Sequence, residues 1–422
     1  MSIPWTITAK DLAPVVKHHP PINPPIGTFS PPGPVTVSFG AVDLFKSIAR
    51  CSATSRATPS LVAALVASSR ALIEFLVEDT TSTVAFLEEV TDLVDAERTA
   101  LSGRVGAGVT DQTMEMMGYI WRDVAEELID SMGKKLADYV YENAAGQLVL
   151  AEAKGSITTS ASQAGSNIRA LKAYKLQVDP YVYIYPRGAR GHPSVGLISH
   201  GYAVAFSALP GPIGSPTAVI PADAFLAIAE TQITGSSSAS GVDTTGADQG
   251  LTDQAPDKGQ EPPSYPLRLG NYRGVFLLAN APNVVAVIEA LLSQAIVEEA
   301  TQTFRLYRCS DRLFLIGSGP TYEAVDRLPV FLDGWLFAIE LQSAEEFLGR
   351  LVNSWMKGAM TILPLVRAAG GQPPPPYLLS PDGFAMIRQV DAKFLQDVTW
   401  HSTAGFYNVP SYPDANLTSS PL

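Results

Sequence analysis

Gly133-Lys-Lys-Leu-Ala-Asp138-Tyr-Val-Tyr-Glu142-Asn-Ala-Ala-Gly146-Gln-Leu-Val-Leu-Ala-Glu152-Ala-Lys154-Gly155 is the stretch on which the fold reading turns. Upstream of it apolar residues recur at helical spacing; at Gly133 the period falls to two. Leu136 to Tyr141 alternates as a strand, Glu142 to Gly146 has turn composition, and Gln147 to Lys154 alternates again before Gly155-Ser156. Two such runs around a short Asn- and Gly-containing connection predict a β-hairpin.

Outward from the hairpin, Gly40 to Met132 is expected to be helical. Thr58 is a candidate N-cap with Pro59 at the first helical position. A second helix is expected from about Ser82 to Leu101, with Glu88, Glu89, Asp92, Asp95 and Glu97 on a solvated face. Arg104 to Gly108 reads as a glycine-rich break, and a third helix from near Thr110 should bury Met114, Met117, Trp121, Val124 and Leu128. Downstream, a helix is expected from about Ser160 to Val178, then strands at Tyr181–Tyr185 and Gly201–Ala208. Strands at Gly274–Ala279, Phe304–Tyr307 and Arg312–Ile316, with helices at Asn283–Ile296 and around Ala344–Val352, predict a second α/β unit. The fold class is mixed α/β. The expected boundaries are a proline-rich extended arm at 1–39, a helical region at 40–109, a core at 110–231, a flexible linker at 232–264, a C-terminal α/β region at 265–415 and a tail at 416–422.

Composition excludes several function classes. The chain has 422 residues, 46% hydrophobic and 17% charged, which suits packed cores rather than a disordered chain. Its 41 acidic and 29 basic residues give a net charge of -12, so the whole chain repels nucleic acid and only a local basic patch could bind it. Cys51 and Cys309 cannot build a disulfide framework or a CxxC metal site. The five histidines make no zinc-binding pattern. No phosphate-binding loop or nucleophile elbow occurs, which argues against a hydrolase built on Ser194 with His192 or His200. Neither a Sec-type signal nor an apolar run of transmembrane length is read, so a cytoplasmic location is expected.

The chemistry concentrates in the hairpin. On an extended strand Leu148, Leu150, Glu152 and Lys154 share a face, which sets an acid and a base at the exit of an apolar run. Across the hairpin Asp138 shares a face with Leu136 and Val140. Two hard oxygen donors suit Mg²⁺ or Mn²⁺, and an adjacent ammonium stabilises negative charge that develops on phosphate. This arrangement resembles the PD-(D/E)XK nuclease superfamily over about residues 110–208. The resemblance implies a restriction-endonuclease-like core, with Asp138, Glu152 and the Ala153 carbonyl as metal ligands and Lys154 as catalytic base or stabiliser. It also implies a carboxylate upstream, for which Glu127, Glu126 and Glu115 are candidates, and a Gln or Lys on the following helix, for which Gln177 is the candidate. Ala137 stands where the written consensus has Pro.

The tripeptide alone has no specificity: chance gives about one acid-x-Lys match in this composition, and the chain has two. The second, Asp391-Ala-Lys393, is preceded by Pro381-Asp382 but leaves little chain for a following helix and strand. Between Gly133 and Arg190 eight basic residues face four acidic ones, a local +4 in a chain of -12. Lys134, Lys135, Arg169, Lys172, Lys175, Arg187 and Arg190 are therefore candidate nucleic-acid contacts. Tyr181, Tyr183 and Tyr185 could stack on bases, against the plainer reading of a half-exposed strand face. The functional expectation is a Mg-dependent nuclease acting on DNA, in a bacterial defence or toxin setting. The alternative is a non-catalytic interaction protein on a degenerate nuclease-like core, with the proline-rich and helical N-terminal regions binding a protein partner.

Overall fold

A computed structural model describes residues 8–26, 29–33, 35–54, 57–79, 82–131, 133–189, 194–211, 224–233, 265–318, 334–352, 360–368 and 374–408. Most of the linker expected at 232–264 and all of the tail lie outside the described residues. The chain is mixed α/β, and no described helix is long and apolar enough to cross a membrane.

The proline-rich arm is extended, as fixed φ angles and missing N–H groups require. It forms β1 (Lys10–Leu12) and β2 (Pro14–His19), and β3 (Val37–Phe39) pairs back on β1. Next come α1 (Ala41–Ser52) and α2 (Pro59–Leu76), the latter capped by the Thr58 side chain, which accepts from Leu61 N–H at 3.2 Å. The short β4 (Phe86–Leu87) and a 3₁₀ turn at Glu88–Asp92 replace the start of the expected second helix. α3 (Asp95–Met116) then runs straight through the glycine-rich segment 104–108.

That is the main correction to the sequence reading, and its cause is packing. A Cβ on Gly106 would lie 2.6 Å from the Gly155 backbone, and one on Gly155 would lie 1.6 Å from the Ser102 carbonyl oxygen. The two glycines are there for close approach of a helix to a strand, not to break the helix or to end the strand. The expected third helix is cut short in turn. Gly118, at φ +85°, turns the chain into β5 (Tyr119–Val124), so Trp121 and Val124 are strand residues.

One helical turn, α4 (Ala125–Leu128), leads to β6 (Tyr139–Asn143) and β7 (Leu148–Ile157). These form the hairpin, with Tyr139 opposite Ala151 and Glu142 opposite Leu148. Asn143 Oδ1 accepts from the N–H groups of Ala145 and Gln147, both at 3.0 Å, and Gly146 takes φ +77°, so the turn chemistry fixes the register. β7 outruns the expected strand and passes through Gly155-Ser156. α5 (Gln163–Ala173) continues as a π turn at Tyr174–Val178, and β8 (Ile198–Ala208) follows.

Tyr181–Tyr185 is not a strand. Tyr181 closes a 3₁₀ turn, Tyr183 sits at φ +61°, and both are buried, so they form no stacking platform. The short β9 (Pro210–Gly211) pairs β4, and β10 (Ala224–Thr231) completes a six-stranded mixed sheet ordered β2-β10-β8-β7-β6-β5. β7 and β8 are parallel across the α5 crossover, whereas β5, β6 and β7 are antiparallel neighbours. α3 covers one face of β7. The other face, where Gly201 leaves room for Val178, lies under α5 and its π turn.

The C-terminal part opens with α6 (Tyr265–Leu278) and α7 (Pro282–Leu292). The strand expected at Gly274–Ala279 is thus helical: Leu267, Tyr272, Val275 and Phe276 are buried at helical spacing. A seven-stranded antiparallel sheet is built from β11 (Thr301–Cys309), β12 (Arg312–Gly317), β13 (Trp335–Glu340), β14 (Tyr377–Leu379), β15 (Phe384–Arg388), β16 (Ala392–His401) and β17 (Gly405–Tyr407). α8 (Leu341–Val352) follows β13 in the chain.

The Gly155 contact gives a direct test. Gly155→Ala should lower stability by about 3 kcal/mol, the upper part of the range for overpacking, because backbone must move. Gly103→Ala, exposed on the same helix with nothing near its Cβ, should raise it by about 1 kcal/mol. Equal effects of the two in urea unfolding would refute the close-approach account.

Candidate active site

Glu152 lies on β7 and is fully buried, five residues along the strand from the hairpin turn. Asp138 lies just before β6, directly across from it. The Asp138 N–H donates to Glu152 Oε2 at 3.0 Å, and the Ala153 N–H donates to Asp138 Oδ2 at 2.9 Å. Lys154, on the same face as Glu152 and about one-third exposed, donates its ammonium to Glu152 Oε1. The structure therefore brings Asp138, Glu152, Ala153 and Lys154 into one cluster. What it shows of Ala153 is its N–H as a donor to Asp138.

Burial first, and the Asp138 charge second, push the Glu152 carboxyl up to about 8, against the opposing pull of Lys154. A buried acid beside a second acid holds a proton in preference to a second negative charge. That charge deficit is what a hard divalent cation would fill, and the donors are oxygens of the right kind. The residues thus fit Mg²⁺ or Mn²⁺, with Asp138 and Glu152 as the ligands. Among the described residues no three or more His, Cys, Asp or Glu side chains converge as a metal site, so the carboxylate pair stands without a third such ligand.

Gln177 falls in the π turn, half-buried, and its amide donates to the Leu136 carbonyl at 3.1 Å, two residues before Asp138. It therefore borders the cluster through backbone. Glu127 does not join it: its carboxylate pairs with Arg273, which also holds Asp123 at 3.1 Å. Glu126 is exposed on the same turn. Glu115 is buried on α3, where Lys46, Arg50 and Arg367 surround it. The upstream carboxylate that the resemblance called for is thus absent from the cluster at all three candidate positions.

Lys134, Lys135, Lys172, Lys175 and Arg187 are exposed. They sit on three segments tied together beside Asp138: Gln177 reaches Leu136, Tyr181 donates to the Ser131 carbonyl at 3.0 Å, and the Asp130 N–H donates to the Arg187 carbonyl at 2.9 Å. Arg169 instead turns inward and donates to Ser207 Oγ at 2.8 Å, with burial lowering its proton affinity. Arg190 and His192 lie outside the described residues. His200 is buried on β8 against Phe29 and Tyr202, and burial drops it to about 3, so it is neutral at physiological pH.

The second tripeptide has no such setting. Asp391 and Lys393 are exposed, Asp391 pairs locally with Arg388, and Asp382 is buried on Arg50 and Asn271. Sequence reasoning missed Asp123, Arg268 and Arg273. Their partners lie more than a hundred residues away, and no local spacing announces such pairs.

No protein-family model matches the chain, and neither a curated protein nor a solved structure matches it.

The raised Glu152 value carries a sign. Between its ordinary 4.5 and about 8 the folded chain holds a proton that the unfolded chain has released, so stability falls as pH rises through that interval. Glu152→Gln, which stays neutral, should flatten that fall. Urea midpoints across the interval decide it: an equal slope in the variant would show that Glu152 is ionised throughout.

Proposed function

We propose that this chain is a metal-dependent nuclease that hydrolyses phosphodiester bonds, with DNA as substrate. The observation that carries the reading is the buried Glu152 carboxylate, set against Asp138 and Lys154 on a hairpin. Support comes from its surroundings: a helix precedes the hairpin, and a helix and a parallel strand follow it, as the resemblance to the PD-(D/E)XK superfamily calls for.

Asp138 and Glu152 would hold Mg²⁺ or Mn²⁺, which supplies Lewis acidity toward a phosphodiester oxygen and a more acidic water when bound. The chain's own residues do the rest. Lys154, at the exposed rim of the pair, places a compact positive charge where negative charge develops on phosphate. The Ala153 and Asp138 N–H groups hold both carboxylates in fixed orientation. Lys134, Lys135, Lys172, Lys175 and Arg187 counter the acidic remainder of the chain and attract a phosphate backbone. A cytoplasmic defence or toxin role is part of the same proposal and rests on the family resemblance alone.

One observation favours the second reading, a non-catalytic scaffold. Both Glu152 oxygens already have protein partners, and so does Asp138 Oδ2. A cluster satisfied in this way is stable without a cation.

Cleavage of plasmid and oligonucleotide DNA with Mg²⁺ or Mn²⁺ separates the two. Glu152→Ala should abolish cleavage, and Lys154→Ala should slow it by roughly 10²–10³. Lys154→Arg should not restore the rate, since a planar guanidinium does not replace an ammonium. Asp391→Ala and Lys393→Ala should cut like wild type. Cleavage by the Glu152 variant at the wild-type rate removes the site assignment, and no cleavage or cation binding by wild type leaves the scaffold.

A further inference from the structure

The segment after residue 264 reaches into the sheet that carries Asp138. Arg268 on α6 grips Glu142 of β6 through Nε at 3.0 Å and Nη2 at 2.6 Å, and lies over the Trp121 ring at 4.1 Å. Asn271 accepts from the Arg122 N–H at 3.1 Å. Arg273 Nη2 donates to Asp123 Oδ1 at 3.1 Å and to Glu127, while its Nη1 stands 3.4 Å from Glu289. The fit is close: a Cβ on residue 270 would lie 1.7 Å from Asp123 Oδ2, so only glycine is compatible there.

The element that Arg273 holds is α4, a single turn of four residues. One turn does not sustain itself, because each ordered residue costs more than its hydrogen bond returns. It is held from outside at both ends: Asp123 Oδ1 accepts from the Val124 N–H at 2.8 Å, and Glu127 sits on Arg273. The first N–H of the turn, that of Ala125, donates to the carbonyl of Asp138 at 2.9 Å.

We propose that Arg273 is a positioning residue for the Asp138–Glu152 pair and acts through the α4 turn. Arg273 fixes Asp123 and Glu127, these fix the turn, and Ala125 fixes the backbone of Asp138. The catalytic consequence rests on the nuclease reading; the positioning itself does not. The C-terminal part of the chain is on this account a required part of the site, joined to it through one guanidinium. A lysine cannot take its place, because a point charge cannot hold Asp123 and Glu127 in a fixed fork.

Three full-length variants test this. Arg273→Gln removes the pin. The triple variant Asp123→Asn, Glu127→Gln, Arg273→Gln removes it without leaving buried carboxylates unpaired, which guards against simple misfolding. Ala125→Pro leaves the pin and removes only the N–H, at a first-turn position where proline is tolerated. Three readouts apply: hydrogen exchange of the Asp138 and Ala153 amides, Mn²⁺ affinity by electron paramagnetic resonance, and cleavage kinetics.

All three variants should speed exchange at Asp138 and Ala153 while the Ala203 and Val204 amides of β8 stay protected. Mn²⁺ binding should weaken about tenfold, and kcat should fall about 10²-fold with KM little changed, the scale of a 1 Å misplacement. Arg273→Lys should behave like Arg273→Gln. Wild-type exchange at Asp138 and Ala153 in the triple variant overturns the proposal. So does loss of protection across β8 in all variants, which would make Arg273 a support of the whole fold. A wild type that neither binds Mn²⁺ nor cleaves removes the nuclease reading, while the exchange data still decide the positioning.

Discussion

The contact between Gly106 on α3 and Gly155 on β7 sets the position of nearly everything else. With no side chain on either residue, helix and strand meet backbone to backbone. α3 is thereby seated on one face of β7, and the face bearing Leu148, Leu150, Glu152 and Lys154 is left to α5 and its π turn. The same seating carries Asp111, Gln112 and Glu115 into the interior, where polar groups must find partners.

They find them in a network that spans the chain. Arg50 of α1 stands 3.5 Å from Asp111, 3.6 Å from Glu115 and 3.0 Å from Asp382 beside β15. Lys46 and Arg367 also reach Glu115, and Arg122 of β5 reaches Asp111. Buried pairs of this kind add little net stability over an apolar core, but breaking one leaves an uncompensated charge at a cost of about 3–5 kcal/mol. The network therefore specifies one mutual arrangement of the two sheets. Arg268 and Arg273 extend that arrangement to the hairpin and to the turn beside Asp138.

What the sequence revealed follows the range of the forces involved. Hairpin, turn and strand alternation around Asp138 and Glu152 are local, and they were legible because Asn143, Gly146 and the period-two pattern act within a few residues. The Thr58-Pro59 helix start was legible for the same reason. The passage of α3 through 104–108 was not, because a glycine placed for close packing looks like a glycine placed for a break until its neighbour is known. β5 was read as helix since Trp121 and Val124 fit both periods over so short a run. The placing of Glu127 failed for a different reason. Its partner, Arg273, is set by tertiary packing, so no spacing in the chain could show that this carboxylate was already engaged.

The cluster at Asp138 and Glu152 has one deficit of positive charge and three ways to meet it: a proton on Glu152, the Lys154 ammonium, or a divalent cation. These compete for the same oxygens. On the proposed reading, binding a cation must displace the proton and release Lys154 toward the open rim of the site, where it can face phosphate. Cation affinity then rises with pH up to about 8, where Glu152 gives up its proton. The burial that makes Glu152 a reluctant anion is thus also what couples loading of the site to the placement of its lysine.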